Sequence, residues 1–170
     1  MKQKKRSVGI ILFTYINGEL HAILQKRGTF NFETMSPESY PGGCQGTAFG
    51  GVNPKETYEQ GLKREMCEEL GASINRLLKT ITLKKVFRFR AGDRTVMTYA
   101  AIIPQSWISK IRLGAQSGGI ALVNSCSSIK NLRDFSREQG VTDQRIVAMF
   151  PDALEALKEV FNLFKKNSPA

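Results

Sequence analysis

Five glutamates and one arginine occupy the segment GGVNPKETYEQGLKREMCEELGA, from Gly50 to Ala72. Carboxylates three and four residues apart fall on one side of a helix, because each residue advances about 100° around the axis. Glu65, Glu68 and Glu69 have this spacing. Clustered oxygen ligands suit a hard divalent cation such as Mg²⁺ or Mn²⁺, which would also relieve their mutual repulsion. The segment therefore predicts a helix with a cation-binding side.

The same segment also predicts a buried side for this helix. Its apolar residues recur every four positions and are Tyr58, Leu62, Met66 and Leu70. Arg64 precedes Glu68 by four residues, so its guanidinium can orient a carboxylate without competing as a metal ligand. Gly71 suits the end of the helix, and Pro54 lies near its start. We place Glu68 and Glu69 on the solvent-facing side.

Composition limits the possible class of protein. The chain has 170 residues, of which 41% are hydrophobic and 24% charged, as expected for one globular domain spanning residues 1–170. Its apolar runs are too short for a membrane span, and a signal peptide is not evident, so we expect a cytoplasmic protein. The three cysteines are widely spaced and are interpreted as free thiols.

The chain is basic, with a net charge of +10 and a pI near 9.7. Such a field attracts polyphosphates and nucleic acids. It is compatible with an anionic nucleotide or with the 5′ end of an RNA, and does not choose between them.

The rest of the chain predicts a mixed α/β architecture. We expect strands at residues 7–15, 21–25, 80–90, 95–103 and 120–123, with a hairpin turn at Asn17-Gly18. Residues 28–47 are rich in Gly, Pro and Ser and indicate a loop. Helices are predicted at 142–150 and at 151–166, where apolar residues form one stripe. Helices on both sides of the strands would make an α/β/α sandwich.

The acidic segment resembles the Nudix box, G-x5-E-x7-R-E-U-x-E-E-x-G-U, where U is aliphatic. The specified positions are held by Gly50, Glu56, Arg64, Glu65, Met66, Glu68, Glu69, Gly71 and Ala72. The resemblance implies an α/β/α sandwich with a mixed central sheet. The order of strand, loop, box helix, strands and final helix follows that of the family across nearly the whole chain.

The resemblance also implies a chemistry. Nudix hydrolases bind Mg²⁺ or a similar cation through box glutamates, and activated water attacks phosphorus in a nucleoside diphosphate linked to another group. A bound cation lowers the pKa of water and offsets charge on the phosphoryl oxygens. On this chain the implied ligands are Glu65, Glu68 and Glu69, or two of them with Glu65 as the general base.

Other matched positions have implied structural roles. Glu56 and Arg64 would stabilise the geometry of loop and helix and orient the ligands. Gly50 would permit close approach of the backbone to the metal, and the carbonyl of Phe49 would be a further ligand. Gly71 would end the helix.

The general base is open. Many members of the family take a ligand or base from a later loop, yet no Asp or Glu occurs between Arg94 and Arg133. The base is therefore either Glu65 or a residue farther on, with Asp134, Glu138 and Asp143 as candidates.

The substrate is also open. Phe87, Arg88 and Phe89 could stack on a base and hold a phosphate, or they could be one packed and one solvated face of a strand. A pyrophosphohydrolase acting on a nucleoside triphosphate or similar nucleotide is the primary hypothesis. The alternatives are an RNA 5′-end pyrophosphohydrolase and a non-catalytic module that binds nucleotide or RNA. The oligomeric state has no signature in the sequence.

Overall fold

The computed structural model describes residues 5–32 and 34–166. Its helices are α1 (Tyr58–Leu70), α2 (Ala72–Leu78) and α3 (Pro151–Lys166). Its strands are β1 (Lys5–Ile16), β2 (Glu19–Arg27), β3 (Phe30–Asn31), β4 (Ser36–Pro37), β5 (Cys44–Gln45), β6 (Ala48–Gly51), β7 (Lys84–Ala91), β8 (Arg94–Ile102), β9 (Ser117–Val123), β10 (Lys130–Asn131) and β11 (Ala148–Met149). Short 3₁₀ helices occupy Gln105–Lys110 and Leu132–Asp134.

Strand β1 is the centre of a mixed sheet. It pairs parallel with β8 and antiparallel with both β2 and β6, while β7 forms the outer strand beyond β8. β1 and β8 are long runs of β-branched, aromatic and aliphatic residues, the composition that favours a strand buried on both faces. The β1–β2 connection is the Asn17-Gly18 turn, in which both residues have positive φ.

Alternate residues of the central strands pack into two separate cores. Val8, Ile10 and Leu12 of β1 face α1 and α2, whereas Ile11 and Phe13 face α3. Phe13 makes edge-to-face contacts with Phe161 and Phe164 of α3. The predicted α/β/α sandwich with a mixed central sheet is therefore confirmed.

Two of the predicted elements differ from the structure. The helix expected at residues 142–150 is wrong, because this segment is irregular with one turn and then forms β11, where Met149 pairs with Cys44 and Ala148 with Lys130. The segment at 28–47 is not wholly loop, since it contains β3, β4 and β5. β5 and β11 form by pairing with segments distant in the chain, which local composition does not reveal. β3 and β4 form a short local hairpin.

Among the described residues, no helix is both long enough and apolar enough to cross a membrane.

Replacing Leu70 by alanine tests whether the buried stripe of α1 supports the fold. Leu70 is fully buried, so Leu70→Ala should lower the free energy of unfolding by about 2–5 kcal/mol through lost apolar contact and a residual cavity. Cys67→Ala, on the exposed side of the same helix, should change it by less than about 0.5 kcal/mol. Urea denaturation measures both, and equal effects would contradict the assigned packing.

Candidate active site

Helix α1 begins and ends at residues suited to those positions. The hydroxyl of Thr57 accepts a hydrogen bond from the backbone N–H of Gln60, and the Gln60 side chain accepts one from the N–H of Thr57. This reciprocal cap satisfies two donors at the helix N-terminus. Gly71 follows the last turn with φ of +87°, a value that favours glycine. The orientation of the acidic residues along α1 is thereby fixed.

The three predicted metal-ligating glutamates lie in different environments. Glu65 and Glu69 are buried, with 8% and 6% of their surface exposed, whereas the side chain of Glu68 is 53% exposed. The expectation that Glu69 faces solvent is therefore wrong. Glu69 lies four residues after Glu65 on the same face of α1. Both carboxylates contact β6, Glu65 at Gly50 and Glu69 at the N–H of Phe49. Buried carboxylates require hydrogen-bond donors or cations.

The closest approach between α1 and the sheet occurs at Gly50. A Cβ atom added to Gly50 would lie 2.0–2.2 Å from the carboxylate atoms of Glu65. Only glycine allows the Glu65 carboxylate to rest against the backbone of β6. We expected a close approach to the backbone at this glycine, and the group that approaches it is the Glu65 carboxylate.

The guanidinium of Arg64 joins α1 to the loop that precedes it. It donates to Glu56 Oε1 and Oε2 at 3.0 Å each, to Glu65 Oε1 at 2.7 Å and to the carbonyl oxygen of Gly51 at 2.6 Å. A longer contact of 3.4 Å reaches Glu68. Bidentate pairing of this kind fixes the geometry of both partners. Hydrogen bonding to Arg64 lowers the pKa of Glu56 from its ordinary 4.5 to about 2, and hydrogen bonding to Glu56 and Glu65 raises the pKa of Arg64.

Glu69 is tied to β6 from the other direction. Its Oε2 accepts a hydrogen bond of 2.8 Å from the backbone N–H of Phe49. With its amide nitrogen turned toward the carboxylate, Gln25 of β2 also donates to Glu69 Oε2, at 3.3 Å. Neutral donors from β6 and β2 thus contact this carboxylate, and its position is set by the sheet as well as by the helix.

Glu65 and Glu69 face a polar cleft of about 210 Å³. Its other lining residues come from β2, the 28–43 segment, β5, β6 and the residue just before β9. They are Gln25, Lys26, Arg27, Asn31, Glu38, Gln45, Phe49, Gly50, Gly51 and Gln116. Glu68 is not among them. Within residues 5–32 and 34–166, three or more carboxylate, His or Cys groups do not converge in the geometry of a formed metal site.

Arg27 at the end of β2 is held in a defined position at the cleft. It donates from Nη2 to Glu38 Oε1 at 2.6 Å and from Nε to the carbonyl oxygen of Ser39 at 2.8 Å. Glu38 also accepts from the backbone N–H of Ser39 and from the side chain of Asn31. The 28–43 segment therefore fixes one basic side chain beside the acidic ones. Sequence reasoning missed both Arg27 and Glu38, because neither belongs to a spaced motif.

A second cavity, of about 760 Å³, adjoins the cleft on the α3 side of the sheet. Arg27, Gln45 and Phe49 line both cavities. The larger cavity is walled by the aromatic residues Phe49, Phe87, Phe89 and Phe150 and by the first turn of α3. Gly9 lies in its floor, where a Cβ would meet the ring of Phe49 at 2.8 Å. The arrangement joins a polar cleft to an aromatic chamber.

Of the remaining predicted site residues, some line a cavity and others do not. Phe87 and Phe89 line the larger cavity, whereas Arg88 projects from the opposite face of β7. Asp134, Glu138 and Asp143 do not line the cleft, and Asp143 pairs with Arg145 at 2.8 Å. Of the acidic residues outside α1 that are described, Glu38 is the one that lines the cleft.

The chain is similar in sequence to a known family and in fold to solved structures. The family model described as NUDIX domain matches residues 3–139. Among solved structures, a mutT/nudix family protein from Listeria innocua is similar over 98% of each chain, with a TM-score of 0.64 and 23% identity. Among curated proteins, none matches the chain significantly.

Two further structures resemble the fold at lower identity. The NUDIX domain of Shewanella oneidensis NrtR, in complex with ADP ribose, has a TM-score of 0.55 and 14% identity, covering 96% of this chain and 90% of that one. A C. elegans Ap4A hydrolase binary complex has a TM-score of 0.54 and 14% identity, covering 96% and 99%.

Alanine at Gly50 tests the contact between β6 and Glu65. Because the added methyl group would overlap the Glu65 carboxylate, Gly50→Ala should displace that side chain and lower the melting temperature by several degrees. Gly51→Ala is the matched control, since nothing lies within 4 Å of a Cβ there. Circular dichroism on heating compares the two, and equal melting temperatures would show that β6 and α1 are not in this contact.

The pairing of Glu56 with Arg64 should make stability depend on pH. Because the pKa of Glu56 falls from 4.5 to about 2 on folding, its contribution is complete above 4.5 and is lost as the pH falls toward 2. Wild type should therefore melt above Glu56→Gln at neutral pH, and the gap should close in acid. Glu159→Gln, an exposed change on α3, is the control. A gap that is constant with pH would contradict the pairing.

Proposed function

Because this chain belongs to the Nudix family, we propose that it is a divalent-metal-dependent pyrophosphohydrolase. Its substrate is a nucleoside diphosphate linked to another group, such as a nucleoside triphosphate. The observation that carries this proposal is the junction of two cavities: buried Glu65 and Glu69 face the polar cleft, and Arg27 and Phe49 connect that cleft to the aromatic chamber.

The residues of the cleft fit a hard divalent cation. Its acidic side chains offer oxygen ligands, Glu65 and Glu69 are buried, and the Glu65 carboxylate lies against the backbone of Gly50. Glu65, Glu69 and the carbonyl of Phe49 would hold Mg²⁺ or Mn²⁺, with Glu68 joining from the exposed rim. A cation bound there would activate water and offset the charge of the phosphoryl oxygens.

The protein's own groups have distinct tasks in this proposal. In the alternative ligand set, in which Glu68 and Glu69 hold the cation, Glu65 would take the proton from the attacking water at a carboxylate oxygen. In both sets Arg64, at 2.7 Å, orients the Glu65 carboxylate. Arg27, held by Glu38 at 2.6 Å, binds phosphate oxygens with its remaining donors. Glu56 keeps Arg64 in place. The sites of proton transfer and of phosphate binding thus lie in the same cleft.

The aromatic chamber suits a nucleoside. Base rings stack on aromatic side chains in a manner that tolerates every base, and the rings of Phe49, Phe87 and Phe89 line this cavity. Its volume falls in the range typical of small-molecule sites. The ADP ribose of the NrtR complex and the Ap4A of the C. elegans hydrolase's name both join a nucleoside to a phosphoanhydride. The same combination fits the two joined cavities here.

Product release over a panel of substrates tests this function. Nucleoside triphosphates, ADP-ribose, nucleotide sugars, dinucleoside polyphosphates and 5′-triphosphorylated RNA are each incubated with and without Mg²⁺, and phosphate and pyrophosphate are measured. Hydrolysis that stops on chelation and returns with Mg²⁺ supports the proposal. Cation binding without hydrolysis of any member would favour a non-catalytic binding module.

Substituting Glu69 by glutamine separates its chemical role from its structural one. The glutamine oxygen can still accept from the N–H of Phe49, so Glu69→Gln should melt within a few degrees of wild type. Loss of a ligand charge should lower kcat at least 100-fold and weaken Mn²⁺ binding measured by calorimetry. Glu159→Gln is the control. Full activity with unaltered Mn²⁺ affinity would remove Glu69 from the metal site.

A further inference from the structure

Strand β2 places a buried amide in the wall of the polar cleft. Gln25 is 2% exposed and lines the cleft with Glu65 and Glu69. Its side chain has two N–H donors and one carbonyl acceptor, and burying any of them without a partner is unfavourable. The partners of this amide therefore indicate why a glutamine, rather than an apolar residue, occupies this position.

The polar groups of the Gln25 amide are all satisfied in one of its two orientations. With the nitrogen turned toward α1, it donates to Glu69 Oε2 at 3.3 Å and to the carbonyl oxygen of Thr47 at 3.2 Å. The amide oxygen then accepts from the hydroxyl of Ser117 at 3.2 Å. In the reverse orientation the amide oxygen would face two acceptors, Glu69 Oε2 and the Thr47 carbonyl. Gln25 is therefore a donor to Glu69.

The hydroxyl of Ser117 reaches Gln25 beside a bulge in β9. The register pairs Gln25 with Ile120 and Arg27 with Ser117, so three steps along β9 match two along β2. Gly119, inside the bulge, has φ of +107°, a value that favours glycine. Bulges are common beside active sites, where they redirect a side chain. Here the redirected side chain is the hydroxyl that contacts the amide.

The hydroxyl proton of Ser117 is directed to Gln25. The backbone N–H of Gly119 donates to Ser117 Oγ at 3.2 Å, so this oxygen already accepts one hydrogen bond. Its own proton has two acceptors within reach, the Gln25 amide oxygen at 3.2 Å and the carbonyl oxygen of Gly119 at 3.5 Å. The shorter contact is the one to Gln25. Ser117 therefore favours the orientation in which the amide donates to Glu69.

We propose that Gln25 is a positioning residue for the cation site, acting through Glu69 and held in its donating orientation by Ser117. This inference rests on the proposed function, in which Glu69 holds Mg²⁺ or Mn²⁺. The donors of Gln25 and Phe49 converge on Glu69 Oε2, at 3.3 and 2.8 Å, and restrain the carboxylate from two strands. Hydrogen-bond partners of this kind orient metal-binding carboxylates and raise the affinity for the metal.

A neutral donor suits this position. A lysine or arginine beside Glu69 would also restrain the carboxylate, but its positive charge would repel a divalent cation. The amide of Gln25 orients the carboxylate and leaves its negative charge in place. Arg64 already contributes one positive charge at Glu65, at 2.7 Å. A neutral partner at Glu69 therefore preserves the attraction of the cleft for a cation.

Calorimetry with Mn²⁺ alone tests this role. Gln25→Met keeps the length of the side chain but removes both donors, and should raise the Kd for Mn²⁺ about ten-fold. Gln116→Met makes the same replacement in the same cleft, outside the hydrogen bonds just described, and should change it by less than about two-fold. Ser117→Ala, the milder change, should raise it about three-fold, as expected for the loss of one neutral hydrogen bond.

A double-mutant cycle separates positioning from a general effect on the fold. If Gln25 acts through Glu69, then Gln25→Met should weaken Mn²⁺ binding by less than about two-fold when Glu69→Gln is already present. An equal loss in both backgrounds would overturn the inference, because Gln25 would then act independently of Glu69. An unchanged Kd in Gln25→Met, or an equal rise in Gln116→Met, would overturn it as well.

Hydrogen exchange in EDTA measures the position of Glu69 without a cation. The backbone N–H of Phe49 donates to Glu69, so it should exchange about ten-fold faster in Gln25→Met than in wild type. The N–H of Val52, which donates to the carbonyl oxygen of Arg6 at 2.9 Å, reports general opening of this region and should be unaffected. Unaltered exchange at Phe49, or equal acceleration at Val52, would contradict the positioning role.

The two measurements distinguish the inference from the function on which it rests. If wild type does not bind Mn²⁺, the proposed function fails, while exchange at Phe49 still decides whether Gln25 positions Glu69. Circular dichroism checks that each variant is folded. If Gln25→Met does not fold, Ser117→Ala is used for both measurements, and a Kd and an exchange rate equal to those of wild type would then overturn the inference.

Discussion

The contact on which the site depends is the packing of the Glu65 carboxylate against the backbone of Gly50. It joins the acidic helix to the sheet at a distance that excludes any side chain larger than hydrogen at that position. Burying a carboxylate there is unfavourable unless donors or cations surround it. Arg64 supplies one donor at 2.7 Å, and a divalent cation is the further partner that we propose. The proposed cation site would thus use a helix face whose clustered carboxylates repel one another.

The rest of the site follows from holding that contact in place. Arg64 ties α1 to Glu56 and to Gly51, so the loop before the helix cannot move independently of the carboxylates. The N–H of Phe49 holds Glu69, while the ring of the same residue lies over Gly9 in the chamber. One strand, β6, therefore positions both the acidic groups and the aromatic wall. In the proposed function, the phosphate and the nucleoside would therefore be held by groups that the same strand positions.

The sequence predicted the acidic helix, its buried stripe and the sandwich, because these depend on periodicity within short segments. It did not predict that Glu69 is buried, since burial depends on where β6 crosses the helix. It also missed β11, whose residues form a strand by pairing with β10 and with Cys44, which lies about one hundred residues earlier in the chain. Arg27 and Glu38 could not be identified for a related reason: their ion pair forms when the 28–43 segment folds back over β2.

Anomalous scattering from Mn²⁺ in crystals grown with a non-hydrolysable nucleoside triphosphate analogue tests the central claim most directly. We expect a peak in the polar cleft, within bonding distance of Glu65 and Glu69. The phosphates should lie beside Arg27, and the base among Phe49, Phe87 and Phe89. A peak at other carboxylates, or a nucleotide bound outside the two joined cavities, would contradict it.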